Sequence, residues 1–343
     1  MQQGLFNAEF FRLRFRWWGL FSAAGTVAGA ASVLGFFGPL HWLLDLCSHF
    51  RVQYFFGLAL VSLLLLIPRK KKSAACFGAL ALVNLAVLLP LYGGRPPAPL
   101  AAGQPFRVLL CNVESSNPHK DRVAAMLRQY QPDIVVLEEV TLVWLAELQA
   151  VLNEYPYSKT EPRDDNFGIA LFSKFPLAQA RVVPIGEAGV PSILAEVQTP
   201  QGRCTLLATH PLPPAGAEYS RLRNGQLAQI PHWTERATSP LLLLGDLNTT
   251  PWNGYFRRLL RETRLHDSAQ GRGIHPSWPA NNFLLRIPLD HALYSEGLAI
   301  VQREIGPDVG SDHFPLIVDL VLTAASTNAV ATFPAAQLPP AGH

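Results

Sequence analysis

At 343 residues the chain has room for a full-sized catalytic domain and a second unit, but its 15% charged against 49% apolar residues is too little charge for an ordinary soluble protein. Residues 1–100 hold nine Lys or Arg and only Glu9 and Asp45 as acids, whereas the remainder holds nineteen basic and twenty-three acidic residues. The net charge of +3 thus averages a basic apolar segment with a mildly acidic domain, and excludes reading the pI as a nucleic-acid signature.

Gly19 to Leu40 carries no charge and is long enough to cross a bilayer. Val52 to Ile67 is shorter but dense in leucine, with Arg51 and Arg69 placed to snorkel to the headgroups. Ser73 to Tyr92 is a third span, interrupted by Asn84 and Pro90. Arg12, Arg14 and Arg16 precede the first span, and Arg69, Lys70, Lys71 and Lys72 lie between the second and third. Three crossings put both clusters on one side, the cytoplasm, and the rest of the chain beyond it. A cleaved signal peptide is the alternative, because Ala28-Gly29-Ala30 resembles a cleavage site. The run is longer than a signal core, however, and two more follow. Buried soluble helices are disfavoured by the Arg-Lys-Lys-Lys block between two of the runs.

Gly93-Gly94-Arg95-Pro96-Pro97-Ala98-Pro99 reads as a linker. The expected division is a membrane domain over 1–92, a linker over 93–103, a globular domain over 104–322, and a disordered Ala/Thr/Pro-rich tail over 323–343. Within the globular domain, short apolar runs predict strands at Phe106–Cys111, Ile134–Leu137, Ile169–Ser173, Ile193–Val197, Cys204–Thr209, Leu241–Leu244, Ala292–Tyr294 and Pro315–Leu320. Helical spacing predicts Arg122–Tyr130, Val143–Leu152 and Gly254–Arg261. Many strands with helices between them predict a layered α/β sandwich. Cys47, Cys76, Cys111 and Cys204 contain no CxxC pair and read as four buried free thiols. A Cys111–Cys204 bridge would need their strands to be neighbours.

Four motifs each close an apolar run: Cys111-Asn112-Val113, Leu137-Glu138-Glu139, Gly245-Asp246-Leu247-Asn248 and Ser311-Asp312-His313. Asp246 and Asn248 are two apart and point the same way on an extended segment. The Asp can orient and deprotonate a water, and the Asn can fix that water or a phosphate oxygen. Taken alone, the motif is read better as a plain turn. One carboxylate of Glu138-Glu139, with Asn112, could hold Mg²⁺, which takes oxygen ligands and keeps several waters. A solvated strand end is the plainer reading of those glutamates. His313 can stabilise charge on a phosphate or protonate a leaving oxygen, with Asp290 as the carboxylate that sets its tautomer. His210 closes another strand and can contact the same phosphate. His119, His232, His266 and His275 read as surface residues.

Taken in order, Asn112, Glu139, His210, Asp246 with Asn248, Asp290 and Ser311-Asp312-His313 resemble the endonuclease/exonuclease/phosphatase superfamily across residues 104–322. That family includes deoxyribonuclease I, abasic-site endonucleases, inositol polyphosphate 5-phosphatases and neutral sphingomyelinases. The resemblance implies a four-layered α/β/β/α sandwich and phosphoester hydrolysis dependent on Mg²⁺, or on Mn²⁺ in its place. It implies that Asn112, Glu139 and Asp312 lie at the metal, that Asp246 positions or activates the water, and that Asn248 and His210 contact the phosphate. His313 matches the catalytic histidine, and Asp290 the carboxylate that orients it. Glu138 departs from the glutamine often found at its position. The apolar spans, Thr209-His210-Pro211, Thr250-Pro251-Trp252 and Ser277-Trp278-Pro279 are similar to a membrane-attached bacterial subset, which implies an inner or plasma membrane location with the catalytic domain extracytoplasmic.

Three functions compete. The first is a membrane-anchored phosphatase or phosphodiesterase acting on a lipid-linked phosphoester. The second is an extracytoplasmic nuclease, for which Arg221, Arg223, Arg257, Arg258 and Arg261 could line a basic groove. The third is a non-enzymatic binding protein, disfavoured by the intact polar set.

Overall fold

The structure, a computed structural model, describes residues 17–94, 104–237 and 240–323. The Arg12, Arg14 and Arg16 cluster, the linker from 95 to 103 and the tail from 324 onward lie outside the described residues.

The described residues of the N-terminal part, 17–94, form helices joined by short turns. Helix α1 (Trp17–Leu34) runs into a 3-10 turn (Gly35–Leu40), followed by α2 (Trp42–Ser48), α3 (Arg51–Leu66), α4 (Lys71–Leu88) and a 3-10 turn (Leu89–Leu91). Two stretches are long and apolar enough to cross a membrane: Trp17–Leu40, mean hydropathy 1.7, and Lys71–Leu91, mean hydropathy 2.2. The middle span expected from sequence is a bent pair, with α2 and α3 meeting at 68°, and counts as a third crossing only if the two are taken together. At about 1.5 Å per residue, α3 alone falls short of a hydrocarbon core of about 30 Å.

Small residues let these helices approach. A Cβ on Gly25 would stand 2.9 Å from Val61 on α3, and one on Gly29 would stand 2.9 Å from Leu80 on α4. Arg51 does not snorkel as expected. It is buried, and its guanidinium donates to Ser32 O (2.7 Å) and Asn84 Oδ1 (3.2 Å) and stacks on Phe36 at 4.0 Å. Asn84, read as a flaw in the third span, is therefore a partner inside the bundle. Buried polar groups pair with one another in this way because an apolar interior offers no alternative.

The globular part follows in the order β1 (Phe106–Asn112), α5 (Lys120–Tyr130), β2 (Ile134–Glu138), α6 (Leu142–Glu147), α7 (Gln149–Leu152), β3 (Tyr157–Glu161), β4 (Ile169–Ser173), β5 (Leu177–Pro184), β6 (Pro191–Thr199), β7 (Gly202–Thr209), α8 (Ala217–Thr234), β8 (Leu241–Asp246), α9 (Gly254–Thr263), β9 (His266–Asp267), β10 (Asp290–Tyr294), β11 (Leu298–Ile305) and β12 (Leu316–Leu322). They form two six-stranded sheets, β11-β12-β1-β2-β4-β3 and β5-β6-β7-β8-β10-β9.

Alternation sorts the side chains into layers. Val108, Leu110 and Val136 of the first sheet pack against Ile193, Leu206 and Leu244 of the second. Leu109 and Val135 face the other way, onto Val123 and Leu127 of α5 and Trp144 of α6. Leu207 and Leu243 face Leu227 of α8 and Phe256 of α9. Central strands buried on both faces read as unbroken apolar runs, which is why sequence finds them. The result is the expected four-layered α/β/β/α sandwich preceded by apolar helices.

The cysteines are free, and Cys111 and Cys204 lie in different sheets. Two of the four are not buried, since Cys47 is half-buried and Cys76 exposed.

The N-terminal part is seated on the globular part. Asp45 of α2 pairs with Arg223 of α8, both buried, and Asn253 Nδ2 donates to Asp45 Oδ1 (2.6 Å) and Ser48 Oγ (2.9 Å). The Trp252 indole donates to His49 O (3.1 Å) and the Gly273 N–H to Leu91 O (2.9 Å).

Candidate active site

The strand ends converge. In the parallel pair β1–β2, Asn112 lies opposite Glu138, and in the antiparallel pair β8–β10, Asp246 lies opposite Asp290. His210 follows β7, the parallel neighbour of β8. The Ser311-Asp312-His313 loop precedes β12 and is tied to β1 by Ser311 Oγ, which donates to Asn112 O at 2.8 Å. Four distant pieces of sequence thus meet at one end of the sandwich, around a cavity of about 530 Å³.

On one side of the cavity, His313 Nδ1 donates to Asp290 Oδ2 at 2.9 Å, and its Nε2 lies 3.4 Å from Asp246 Oδ2. His210 Nε2 lies 3.6 Å from the same Asp246 oxygen and 3.4 Å from Asn248 Nδ2. Asn248, at φ 49°, donates its N–H to Asp246 Oδ1 (2.9 Å) and its Nδ2 to Pro211 O (3.0 Å). The Asp246–Asn248 segment is thus a side-chain-closed turn that also aims two polar groups at the cavity. Across the cavity, Asn112 Nδ2 donates to Glu139 Oε1 (3.0 Å), and Asp312 Oδ2 accepts from the Trp278 indole (2.9 Å). All eight residues singled out from sequence therefore lie around this cavity: six line it, Asn112 reaches it through Glu139, and Asp290 through His313.

Burial and charge set the protonation pattern. Burial lifts Asp246 to about 7, against the pull of His313. Burial opposes charge on His313, yet the carboxylates of Asp290 and Asp246 outweigh it and hold the imidazole at about 10. Burial works against Asp290 as well, but His313 beside it leaves it below the usual carboxylate range. His210 is pushed down to about 3 by burial and by His313, so it is neutral. The set is a cationic histidine, an ionised orienting carboxylate, a neutral histidine and a carboxylate poised near neutrality. Perturbations of this size in a cleft mark functional groups. Asp290 Oδ1 and His210 Nδ1 are buried without a protein partner.

A family model described as the Endonuclease/Exonuclease/phosphatase family matches residues 109–313. The chain belongs to this family. Its enzymes hydrolyse phosphoester bonds, and this chain is a phosphoester hydrolase. Solved structures carry the same fold. An endonuclease/exonuclease/phosphatase from Bacteroides vulgatus aligns with a TM-score of 0.55 and 19% identity over 64% of this chain and 100% of that one. A second, from Beutenbergia cavernae, aligns with a TM-score of 0.54 and 22% identity over 65% and 73%. The human Nocturnin catalytic domain with bound sulfate aligns with a TM-score of 0.53 and 20% identity over 64% and 95%. No curated protein matches the chain significantly.

Endonuclease/exonuclease/phosphatase enzymes use divalent metal ions. Among the described residues no group of three or more His, Cys, Asp or Glu side chains forms a ready-made metal cage. The donors at the Glu139 wall nevertheless suit a hard cation. Glu139 and Asp312 offer carboxylate oxygens, with Asn112 beside them, its Oδ1 accepting the Glu114 N–H (3.0 Å), and Mg²⁺ is commonly held by one or two carboxylates while keeping several waters. Glu139 is raised by its burial, with Asp312 adding to the effect, and a cation there would relieve both.

Several contributors escaped the sequence reading. Glu138 is not a solvated strand end. It is fully buried and faces the second sheet, where its Oε2 accepts the Asp246 N–H at 3.0 Å, and burial and Asp246 raise its carboxyl well above the usual range. Ser277 Oγ accepts the Leu289 and Asp290 N–H groups (3.1 and 3.2 Å) and so fixes the start of β10. His275 is half-buried rather than on the surface, and burial lowers it to about 4. Leu46, His49 and Phe50 line the cavity from between the apolar helices, where no sequence signal distinguishes them from lipid-facing residues.

Proposed function

We propose that the chain is a membrane-anchored, Mg²⁺-dependent phosphoesterase that hydrolyses a phosphate ester or pyrophosphate of a membrane lipid, with Mn²⁺ as the alternative ion. The observation that carries the chemistry is the His313–Asp290 pair set 3.4 Å from Asp246 at the floor of the cavity. Asp246, raised to about 7, accepts the proton of the attacking water. The water oxygen bonds to phosphorus as the bond to the leaving oxygen breaks. His313 is cationic and locked by Asp290, and its Nε2–H donates to the phosphate oxygen on which charge grows. Asn248 and the neutral His210 hold a second phosphate oxygen. Glu139, Asn112 and Asp312 would hold the cation, which when bound supplies Lewis-acid stabilisation of phosphate charge.

The membrane reading rests on the two long apolar stretches and on where the bundle meets the globular part. Residues 45–53 and Leu91 touch the catalytic part, while the Arg69–Lys72 turn belongs to the opposite end of α3 and α4. With three crossings, residues 1–92 anchor the chain, the basic turn is cytoplasmic and residues 104–322 lie outside.

The test is release of cleavage products (inorganic phosphate, phosphomonoester or nucleotide) from prenyl pyrophosphates, phospholipids and single-stranded DNA, with and without chelator. Release should need the divalent ion. Asp246→Asn and His313→Ala should each lower turnover by roughly 10²–10⁴-fold while the protein stays folded. Near-normal rates in either variant would remove that residue from the mechanism, and no release from any substrate would favour a binding protein.

A further inference from the structure

We propose that the segment between the first two apolar helices, together with the hairpin 278–287, forms a hydrocarbon-accepting subsite of the catalytic cavity, so that the anchor is part of the active site and the substrate's phosphoester carries an apolar chain. The inference rests on the phosphoesterase reading above and adds to it which residues recognise the chain.

Three observations meet here. First, Leu46, His49 and Phe50 line the same cavity as Asp246 and His313. This wall is a fixed one. The buried Asp45–Arg223 pair and the Asn253 bonds to Asp45 and Ser48 clamp α2, and Arg223 also donates to Asn248 O at 2.8 Å. The clamp therefore reaches directly from the anchor to the residue placed at the phosphate. A buried pair of this kind adds little net stability but defines one geometry.

Second, the hairpin joins the cavity to the bilayer side. Trp278 and Ile287 pair across its base and line the cavity. Its tip holds Phe283 and Leu284 at 78% and 75% exposure. Gln53 of α3 donates to Arg286 O at 3.1 Å, which fastens the returning arm of the hairpin, next to its base, beside the start of that apolar helix. Two bare large apolar side chains on a loop fit a lipid surface, and here that surface continues from α3.

Third, His49 holds an unused polar atom at this wall. Its Nδ1 meets Thr250 Oγ1 at 3.1 Å, and its Nε2 is buried with no partner in the protein. A Thr250 hydroxyl donating to Nδ1 leaves the ring proton on Nε2, an N–H without a protein acceptor on a residue that lines the cavity and so open to a polar group of the bound substrate.

The experiment uses the full chain in detergent micelles and matched butyl and hexadecyl compounds, each offered as the monophosphate, the pyrophosphate and the p-nitrophenyl phosphodiester. In whichever class wild type cleaves, the hexadecyl compound should have the higher kcat/KM. Leu46→Ser and Phe50→Ser should each cut that preference by about tenfold, mainly through KM. Leu60→Ala, on the lipid-facing side of α3, should leave the preference intact. His49→Ala should raise KM for both chain lengths, and His49→Gln should recover part of the loss. Butyl turnover reports folding, since a misfolded variant loses both substrates. Equal rates for the two chain lengths, or a preference that survives both Leu46→Ser and Phe50→Ser, would overturn the subsite. Cleavage of neither compound in any class would instead remove the phosphoesterase reading beneath it.

Discussion

Glu138 and Glu139 are adjacent in sequence and opposite in environment. Glu138 closes β2 on the face that looks between the sheets, where burial and Asp246 raise its carboxyl well above the usual range and its Oε2 receives the Asp246 N–H. Glu139 stands in left-handed backbone at φ 59°, which turns its side chain toward Asn112 and the cavity. Glu139→Gln should raise the concentration of divalent ion needed for half-maximal activity well above the effect of Glu138→Gln, because Glu138 faces the second sheet while Glu139 is the carboxylate proposed to hold the ion. The reverse order in a metal titration would show that the ligand has been misassigned. The polar strand ends were legible because each follows a run of buried apolar residues. The burial of Glu138 was not, because alternation within β2 places it on the inner face only once the two-sheet packing is known.

At the scale of elements, the central strands could be read and the edges could not. β3, β5 and β11 are edge or half-exposed strands, and β11 carries a bulge between Ile300 and Gln302, so none shows a clean apolar run. α8 was missed because its buried face includes Arg223 and Gln226 and its last turn contains Pro231, which together erase helical amphipathicity. The arginines of α8 and α9 also read as a nucleic-acid groove. Instead Arg223 is fully buried against Asp45, while Arg221 binds Glu218 and Glu187 and Arg258 binds Glu262. The α2–α8 clamp is therefore structural at its centre. Asp45→Ala leaves Arg223 buried and uncompensated and should cost about 3–5 kcal/mol, read as a lowered thermal midpoint of the full chain in micelles. An unchanged midpoint would mean that the anchor and the catalytic part do not share this interface.

For the whole molecule, charge asymmetry and apolar runs in the first hundred residues predict the anchor without any knowledge of the fold. What they could not give is the seating of the apolar helices on the globular part, since the contacts join residues about 180–210 apart in sequence. The topology is open to direct measurement. Reporter fusions at Lys71 and at Thr323 should report opposite compartments, with Lys71 cytoplasmic, and a cytoplasmic signal at Thr323 would reverse the orientation.

Anchoring raises the effective concentration of a lipid headgroup but gives no comparable gain for a freely diffusing polymer. The acid-rich catalytic part, with most of its candidate groove arginines paired, is poorly suited to bind polyanions at large. The most direct measurement offers a prenyl pyrophosphate and single-stranded DNA at equal phosphate concentration to the full chain in detergent micelles with Mg²⁺. Faster hydrolysis of the lipid, abolished by chelator and little affected by salt, is the expected result. Faster cleavage of the DNA, falling steeply as salt rises, would contradict the lipid assignment and make the protein an anchored nuclease.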